Sequence, residues 1–481
     1  MRTRIVTIVL CVALKTTVFA QNYHAIHGSS YAGSLGIGNN PSSIVNTPFK
    51  WDIDLFSFQV KNSTNIVSVY HYSLLSSGKK SEYLFTAGDY ARFGHVNYNI
   101  NIFNARFAIN RYKAFGFGAN LRGYTNVKTS PYNFIDTLHS SREFFNLGNF
   151  NRTLSANMAS SNWLELFGTY AQTVWDRQND RLNAGVTLKI TRSLAGGYMA
   201  LQNGRAITDI QNPNARSYVL ENISAQYGYS RNLDLWDRKN STKTNIKNFL
   251  SDTEGSYSMD LGVEYLVKPK AIPTVFDHEE EFYDYEWKIG LSLLDVGASR
   301  YKYSPNSLLA RGVRDDIADS VLDDKFDNVT VDDFSDSLAS IARNSRVLGG
   351  TYTIGNPTRL VLNVDKYMGG NIFINGDLTI NLTKAGQKAL AVQELNLLTL
   401  TPRWETKRLG AYLPVSVNTR GRLWIGGAFK VGPLLLGIHN WANIFSNKKI
   451  NNGGGYLAIV IRSTKAGSRR ADKKLDCPPG F

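Results

Sequence analysis

Over residues 409 to 462 the chain alternates apolar and polar positions in four runs separated by very short turns. Ala411, Leu413, Val415 and Val417 alternate with Tyr412, Pro414, Ser416 and Asn418, and a turn at 418–421 follows. Leu423, Ile425 and Phe429 then oppose Arg422, Trp424, Ala428 and Lys430, ahead of a second turn at 431–433. Residues 434–441 and 456–462 complete the series, the last with Leu457, Ile459 and Ile461 on one face. A period of two predicts strands with one apolar face, and the short turns make them an antiparallel meander. Runs of roughly 9 to 11 residues suit tilted strands that cross a bilayer.

The pattern recurs upstream. Trp51, Ile53 and Leu55 stand against Asp52, Asp54 and Phe56, and a weaker run covers 66–75. Residues 98–110 and 115–125 flank a turn, and strands are predicted over 163–174, 259–265, 286–296, 358–364, 371–382 and 395–404. The cleanest run is 182–190, where Leu182, Ala184, Val186, Leu188 and Ile190 face one way and Asn183, Gly185, Thr187 and Lys189 the other. Connections are unequal: 176–180 is short, whereas 126–161 and 230–256 are long. Short turns on the periplasmic side and long loops outside are the habit of outer-membrane barrels. We expect an all-β transmembrane antiparallel barrel of about 14 to 16 strands over residues 49–462, against a secreted β-sandwich or propeller as the alternative. Residues 304–346 interrupt it as an acidic loop with some helix, because 315–336 hold nine aspartates and one lysine. Residues 21–48 are small, polar and without period, too short for a domain, and are expected to fold into the lumen as a plug.

The first twenty residues add the compartment. Arg2 and Arg4 precede an apolar run, and Val18-Phe19-Ala20 supplies a small-residue cleavage site, so an exported chain cleaved after Ala20 and bound for the outer membrane is expected. Beyond that leader no apolar stretch is long enough for a membrane helix. The mature chain keeps Cys477 and so has no internal disulfide. Its net charge of about +12 is scattered through strands and turns without a nucleic-acid-binding motif, so we expect lipid rather than nucleic acid as partner. The basic residues of the 463–481 tail follow the last strand as a periplasmic extension.

Candidate chemistry is sparse. Charges inside predicted strands are costly against lipid, so Arg122, Glu165, Lys189, Asp260, Glu264, Lys288 and Arg403 are expected to line the lumen, as a pore or as a salt-bridge network. The acidic run 277–281 with Asp284 lacks the spacing of a cation-binding loop, and no metal or other cofactor is expected. The seven histidines include no His-Glu-x-x-His, and there is no Gly-x-Ser-x-Gly. His439 beside Asn440 is the one candidate for catalytic placement. An enzyme is not expected.

Several segments carry a resemblance: Asn39-Asn40-Pro41-Ser42, Trp163-x-Glu165 with 184–189, 289–297, 401–405 and Gly432-Pro433-Leu434. Together they resemble an uncharacterised outer-membrane β-barrel family of Bacteroidota, catalogued as a domain of unknown function. More distantly, the Asn40-Pro41-Ser42 stretch is similar to long-chain fatty-acid transporters, where alanine is usual at the third position. That resemblance implies a plug containing Asn40, Pro41 and Ser42, and no ligand residue carries over. The expected function is a channel or transporter for small molecules, hydrophobic ones included; the alternative is a non-transporting scaffold for secretion or surface proteins. Asp136-Thr137-Leu138, Asp319-Ser320-Val321 and Asp336-Ser337-Leu338 resemble the O-glycosylation signal of exported Bacteroidota proteins. Thr137, Ser320 and Ser337 all fall in expected loops, although Ser and Thr beside Asp also suit turns and helix caps.

Overall fold

The computed structural model describes residues 24–463 except 71–81, 139, 209–217, 238, 270–284, 315–316, 318, 327–330, 384–389 and 446–449. The leader with its Ala20 cleavage point, the acidic run 277–281, and the basic tail with Cys477 lie outside the described residues.

Fourteen strands close into a barrel, each antiparallel to both neighbours. They are β1 Trp51–Thr64, β2 Gly88–Asn110, β3 Lys113–Phe134, β4 Thr153–Asp176, β5 Asp180–Thr208, β6 Glu254–Val267 and β7 Trp287–Lys302. The second half comprises β8 Arg359–Gly369, β9 Ile372–Asn381, β10 Leu397–Glu405, β11 (Leu409–Tyr412 with Val415–Asn418), β12 (Leu423–Ile425 with Gly427–Val431), β13 Leu434–Ile438 and β14 Asn452–Arg462. Closure is at β1, where Asp52 pairs with Arg462 on one side and Arg106 on the other. Of the weak run at 66–75, Val67–Tyr70 stays outside the barrel and pairs with Glu82–Phe85 in a sheet of its own, and 71–75 lie outside the described residues.

Burial inverts that of a water-soluble protein. On β5, Asn183, Thr187, Lys189 and Thr191 are buried while Leu188 and Ile190 are 64% and 61% exposed. The same apolar exposure continues on neighbouring strands at Leu166, Leu261, Val263, Ile289 and Leu291. A strand whose exposed face is apolar and whose covered face is polar is matched to lipid outside and a polar lumen inside. The start of β1 and the end of β14 lie at the end that carries the tight turns between β2 and β3, β4 and β5, β8 and β9, and β12 and β13. Val267 and Trp287, which a connection long in sequence joins, also pair at this end.

Strands β2 to β5 run 22 to 29 residues, about twice a membrane crossing. The long loop expected over 126–161 therefore shrinks to 135–152, with helix α1 (Ser141–Asn146) capped by the Ser140 side chain. Above the membrane the outward residues need not be apolar, so the alternation fades while the ladder continues to Thr153↔Arg205. This tall wall is widened by the hairpin Tyr218–Glu221 and Ser224–Tyr229, and then by Leu308–Val313 and Ala342–Val347. Between the last two lie α3 (Asp319–Phe326) and α4 (Val331–Ile341); α2 is Thr242–Ser251. The acidic segment is thus more ordered than the sequence suggested, because Phe334, Leu338 and Ala339 of α4 pack on Tyr227, Leu308 and Ala310. The expectation that Ser320 and Ser337 stand in irregular loops is corrected: they lie in α3 and α4, and Ser337 is half-buried. Thr137 is exposed in a turn.

Candidate functional site

The lumen is occupied by residues 24–50, which form three single-turn helices at His24–Ile26, Gly33–Gly36 and Pro41–Val45. The last is built by the Asn-Pro-Ser stretch itself. Pro41 suits the first turn of a helix because its missing N–H has no partner there, and Asn40 Oδ1 accepts from Ser42 N at 3.0 Å. Asn40 Nδ2 meanwhile donates to Val263 O of β6 at 3.0 Å, so one side chain holds both the turn and the wall. Gly185 and Gly262 leave room for this approach: a Cβ on Gly185 would fall 2.6 Å from Pro41 C and Ser42 N. Further clamps come from Arg106, whose Nε and Nη1 donate to Ile44 O and Phe49 O at 2.7 Å, and from Asn104, which donates to Ser34 O at 2.8 Å. Apolar contacts finish the seat, with Ile37, Ile44 and Val45 against Ala114, Phe167 and Ala171.

Toward the long-loop end, the segment is overlaid by a buried ionic cluster. Asp295 accepts Arg122 through both carboxylate oxygens at 2.5 and 2.7 Å and Lys189 Nζ at 2.7 Å, and it also meets Arg359. Lys189 bridges on to Asp260 at 2.7 Å, and Arg122 to Glu165 at 3.3 Å. Glu165 takes further donors from Asn120 and Trp163 at 2.9 and 3.0 Å. Asp295 sits at a positive φ of 57°, a backbone state that Asp tolerates better than most residues. A cavity of about 30 Å³ remains between Ser34, Asn101, Asn104 and Arg122, room for a water or two.

The other sequence candidates do not join this cluster. Lys288 lies 3.9 Å from Glu264 and donates to Ser30 Oγ of the N-terminal segment. Arg403 binds Asp365 in fork geometry at 2.5 and 2.8 Å, and through Glu405 connects to Lys430 and Ser29. The seven charges thus divide between the Asp295 cluster and two further groups, around Lys288 and around Arg403, which Tyr285 links by standing under Lys288 and donating to Asp365. Sequence reasoning passed over Asp295, Arg359 and Lys430, although the same rule of charges inside apolar strands finds them, and it stopped one residue short of Asp365 and Glu405, which follow the runs predicted over 358–364 and 395–404. Glu394 carries no such signal, since it lies in the connection between β9 and β10, yet it folds inward onto Lys61 at 2.7 Å and His95 at 3.5 Å. Burial pushes its carboxyl up, but the Lys61 ammonium and His95 more than offset this and hold it well below the usual carboxylate range.

Residues 390–396 of this connection form a strap at the long-loop end of the lumen. Val392 is buried with Tyr124, Trp163, Tyr198, Tyr301, Tyr352 and Ile354, and the strap is pinned where Asn126 exchanges hydrogen bonds with Gln393 N and O at 2.7 and 3.1 Å. His439 lies against Gln59, with Nε2 2.6 Å from the amide nitrogen, and against the Tyr456 ring. Among the described residues no group of three or more His, Cys, Asp or Glu is placed to hold a metal ion.

Residues 41–438 match the model of a family of unknown function, DUF5723, and the chain belongs to that family. No curated protein matches it. Similar solved structures include the toluene transporter TodX of P. putida, at 10% identity over 89% of this chain and 93% of that one with a TM-score of 0.41. A FadL homologue of Pseudomonas aeruginosa matches at 10% identity over 92% and 99% with a TM-score of 0.40. The toluene transporter TbuX of Ralstonia pickettii matches at 9% identity over 89% and 94% with a TM-score of 0.39.

Proposed function

We propose that this member of the DUF5723 family is a gated outer-membrane channel for small polar solutes, closed here by residues 24–50 at one end and the 390–396 strap at the other. The observation that carries this reading is a separable segment of chain, continuous with the wall only through Trp51, seated in a lumen whose strands hold it by hydrogen bonds. Such contacts can be exchanged for water when the segment moves, at a modest net cost for each. The ionic and amide lining favours polar solutes over the hydrophobic ones suggested by fold analogy, because an apolar solute would leave those groups without compensation.

The scaffold reading is favoured by one observation, the tightness of the filling: about 30 Å³ is left between the segment and the ionic cluster. Conductance of the purified protein in planar bilayers separates the two. The channel reading expects low conductance in the native chain and a clear rise in Arg106→Ala, which frees Ile44 O and Phe49 O. A folded barrel silent in both forms favours the scaffold. Of the hydroxyls proposed for glycosylation, Thr137 is exposed and more open to modification than the half-buried Ser337, and the intact mass of protein from its native host tests it.

A further inference from the structure

Beside the barrel, the connection between β5 and β6 forms a second apolar surface. Leu233, Leu235 and Trp236 are exposed there, and α2 adds Ile246 and Leu250 one turn apart. Trp236 stands edge-on to Phe249, with ring centroids 6.5 Å apart. Lys243 and Lys247, also one turn apart, flank the Ile246–Leu250 ridge, and Lys239 precedes the helix. The opposite side of the helix is turned to the protein through Asn245, which is buried and donates to Asp237 O at 2.7 Å. An apolar ridge edged with lysines is the pattern of a helix lying in a membrane interface, its lysine stems on apolar ground and its ammonium groups among headgroups.

The attachment fixes where that ridge stands. On the outer face the apolar belt of β5 ends at Ile190, paired with Tyr257 of β6, an aromatic 77% exposed. The next outward residue of β5 is Arg192, and it is tied to the end of α2: its Nε donates to Thr253 Oγ1 at 2.5 Å and its Nη2 to Leu250 O at 3.4 Å. Asn232 Nδ2 donates to Leu194 O at 2.6 Å, and Arg231 grips Asp252 through two hydrogen bonds of 2.6 and 2.8 Å. The exposed ridge is therefore continuous with the upper rim of the lipid-facing belt, where headgroups begin.

We propose that residues 231–237 and 239–251 form a foot that docks on the outer surface of the bilayer, with Trp236, Ile246 and Leu250 in the headgroup–acyl boundary and Lys239, Lys243 and Lys247 on anionic lipid phosphates. The foot is independent of whether the lumen conducts. The test is quenching of Trp236 by brominated lipids, read as the difference between the native chain and Trp236→Phe, in phosphatidylcholine bilayers with and without phosphatidylglycerol. A quenched Trp236 component that increases with phosphatidylglycerol, and loses that increase when the three lysines are changed to glutamine, is expected; each lysine near an anionic surface is worth about a fivefold gain in association. Equal quenching in the native chain and Trp236→Phe overturns the docking, and quenching indifferent to both phosphatidylglycerol and the lysines overturns the headgroup assignment. Heat-modifiable migration of each variant shows that the barrel itself has folded.

Discussion

One side of the barrel is a tall wall, β2 to β5, and the other, β8 to β14, is about as high as a membrane. Strand β5 runs 29 residues while β14 runs 11, and β11 and β12 each break partway, around Leu413-Pro414 and at Gly426. Pro cannot donate to a ladder and is tolerated where pairing lapses. The short wall ends where lipid ends, whereas the tall wall continues as sheet and supports the hairpin and helices above it. Height is thus set by what lies beyond the membrane, while the interior is built alike on both sides.

The largest expected effect tests that likeness. Arg122 on the tall wall and Arg403 on the short wall each face a buried carboxylate in fork geometry, so Arg122→Ala and Arg403→Ala should each destabilise by about 3–5 kcal/mol through the anion left unpaired. Urea unfolding in detergent micelles measures both, and a cost confined to one wall would break the comparison. Next, Leu188→Arg should cost about 2–4 kcal/mol in the lipid belt, whereas Met199→Arg, higher on the same strand and also exposed, should stay within about 0.5 kcal/mol. Unfolding in lipid bilayers reads the difference, and equal costs would mean that the upper strand is also in lipid.

Gly185→Ala is expected to cost about 1–3 kcal/mol by overpacking and, more tellingly, to loosen the N-terminal segment, seen as faster protease cleavage within residues 24–50. Gly168, on the adjacent strand with open space around its would-be Cβ, serves as the control and should leave cleavage unchanged. The smallest effect is electrostatic. The hydrogen bonds from Arg231 hold the Asp252 carboxyl below its ordinary value, and Lys302 adds to this. A depressed carboxylate contributes its stabilisation above the unfolded value of about 3.9 and loses it as pH falls through the lower folded value. Hydrogen exchange over 242–251 should therefore be flat from neutral pH to about 4, once corrected for intrinsic rates, and rise below. Arg231 is half exposed, so screening keeps the change small.

The sequence by itself determined the barrel, because period two with the apolar set unbroken across each crossing is what a strand between lipid and a polar lumen requires. Asn40, Pro41 and Ser42 stood out only through a resemblance, although the capped turn that they build is a local matter of three residues. Only the tertiary structure decided which charges meet. Arg122, Lys189 and Arg359 come from β3, β5 and β8 and converge on Asp295 because closure and strand tilt bring distant positions to one level of the lumen. The inward fold of Glu394 and the height of the tall wall were likewise decided in three dimensions. A strand continuing into water keeps its hydrogen-bond ladder but loses the alternation imposed by lipid, and a loop that turns inward is held by partners more than 250 residues away in the chain.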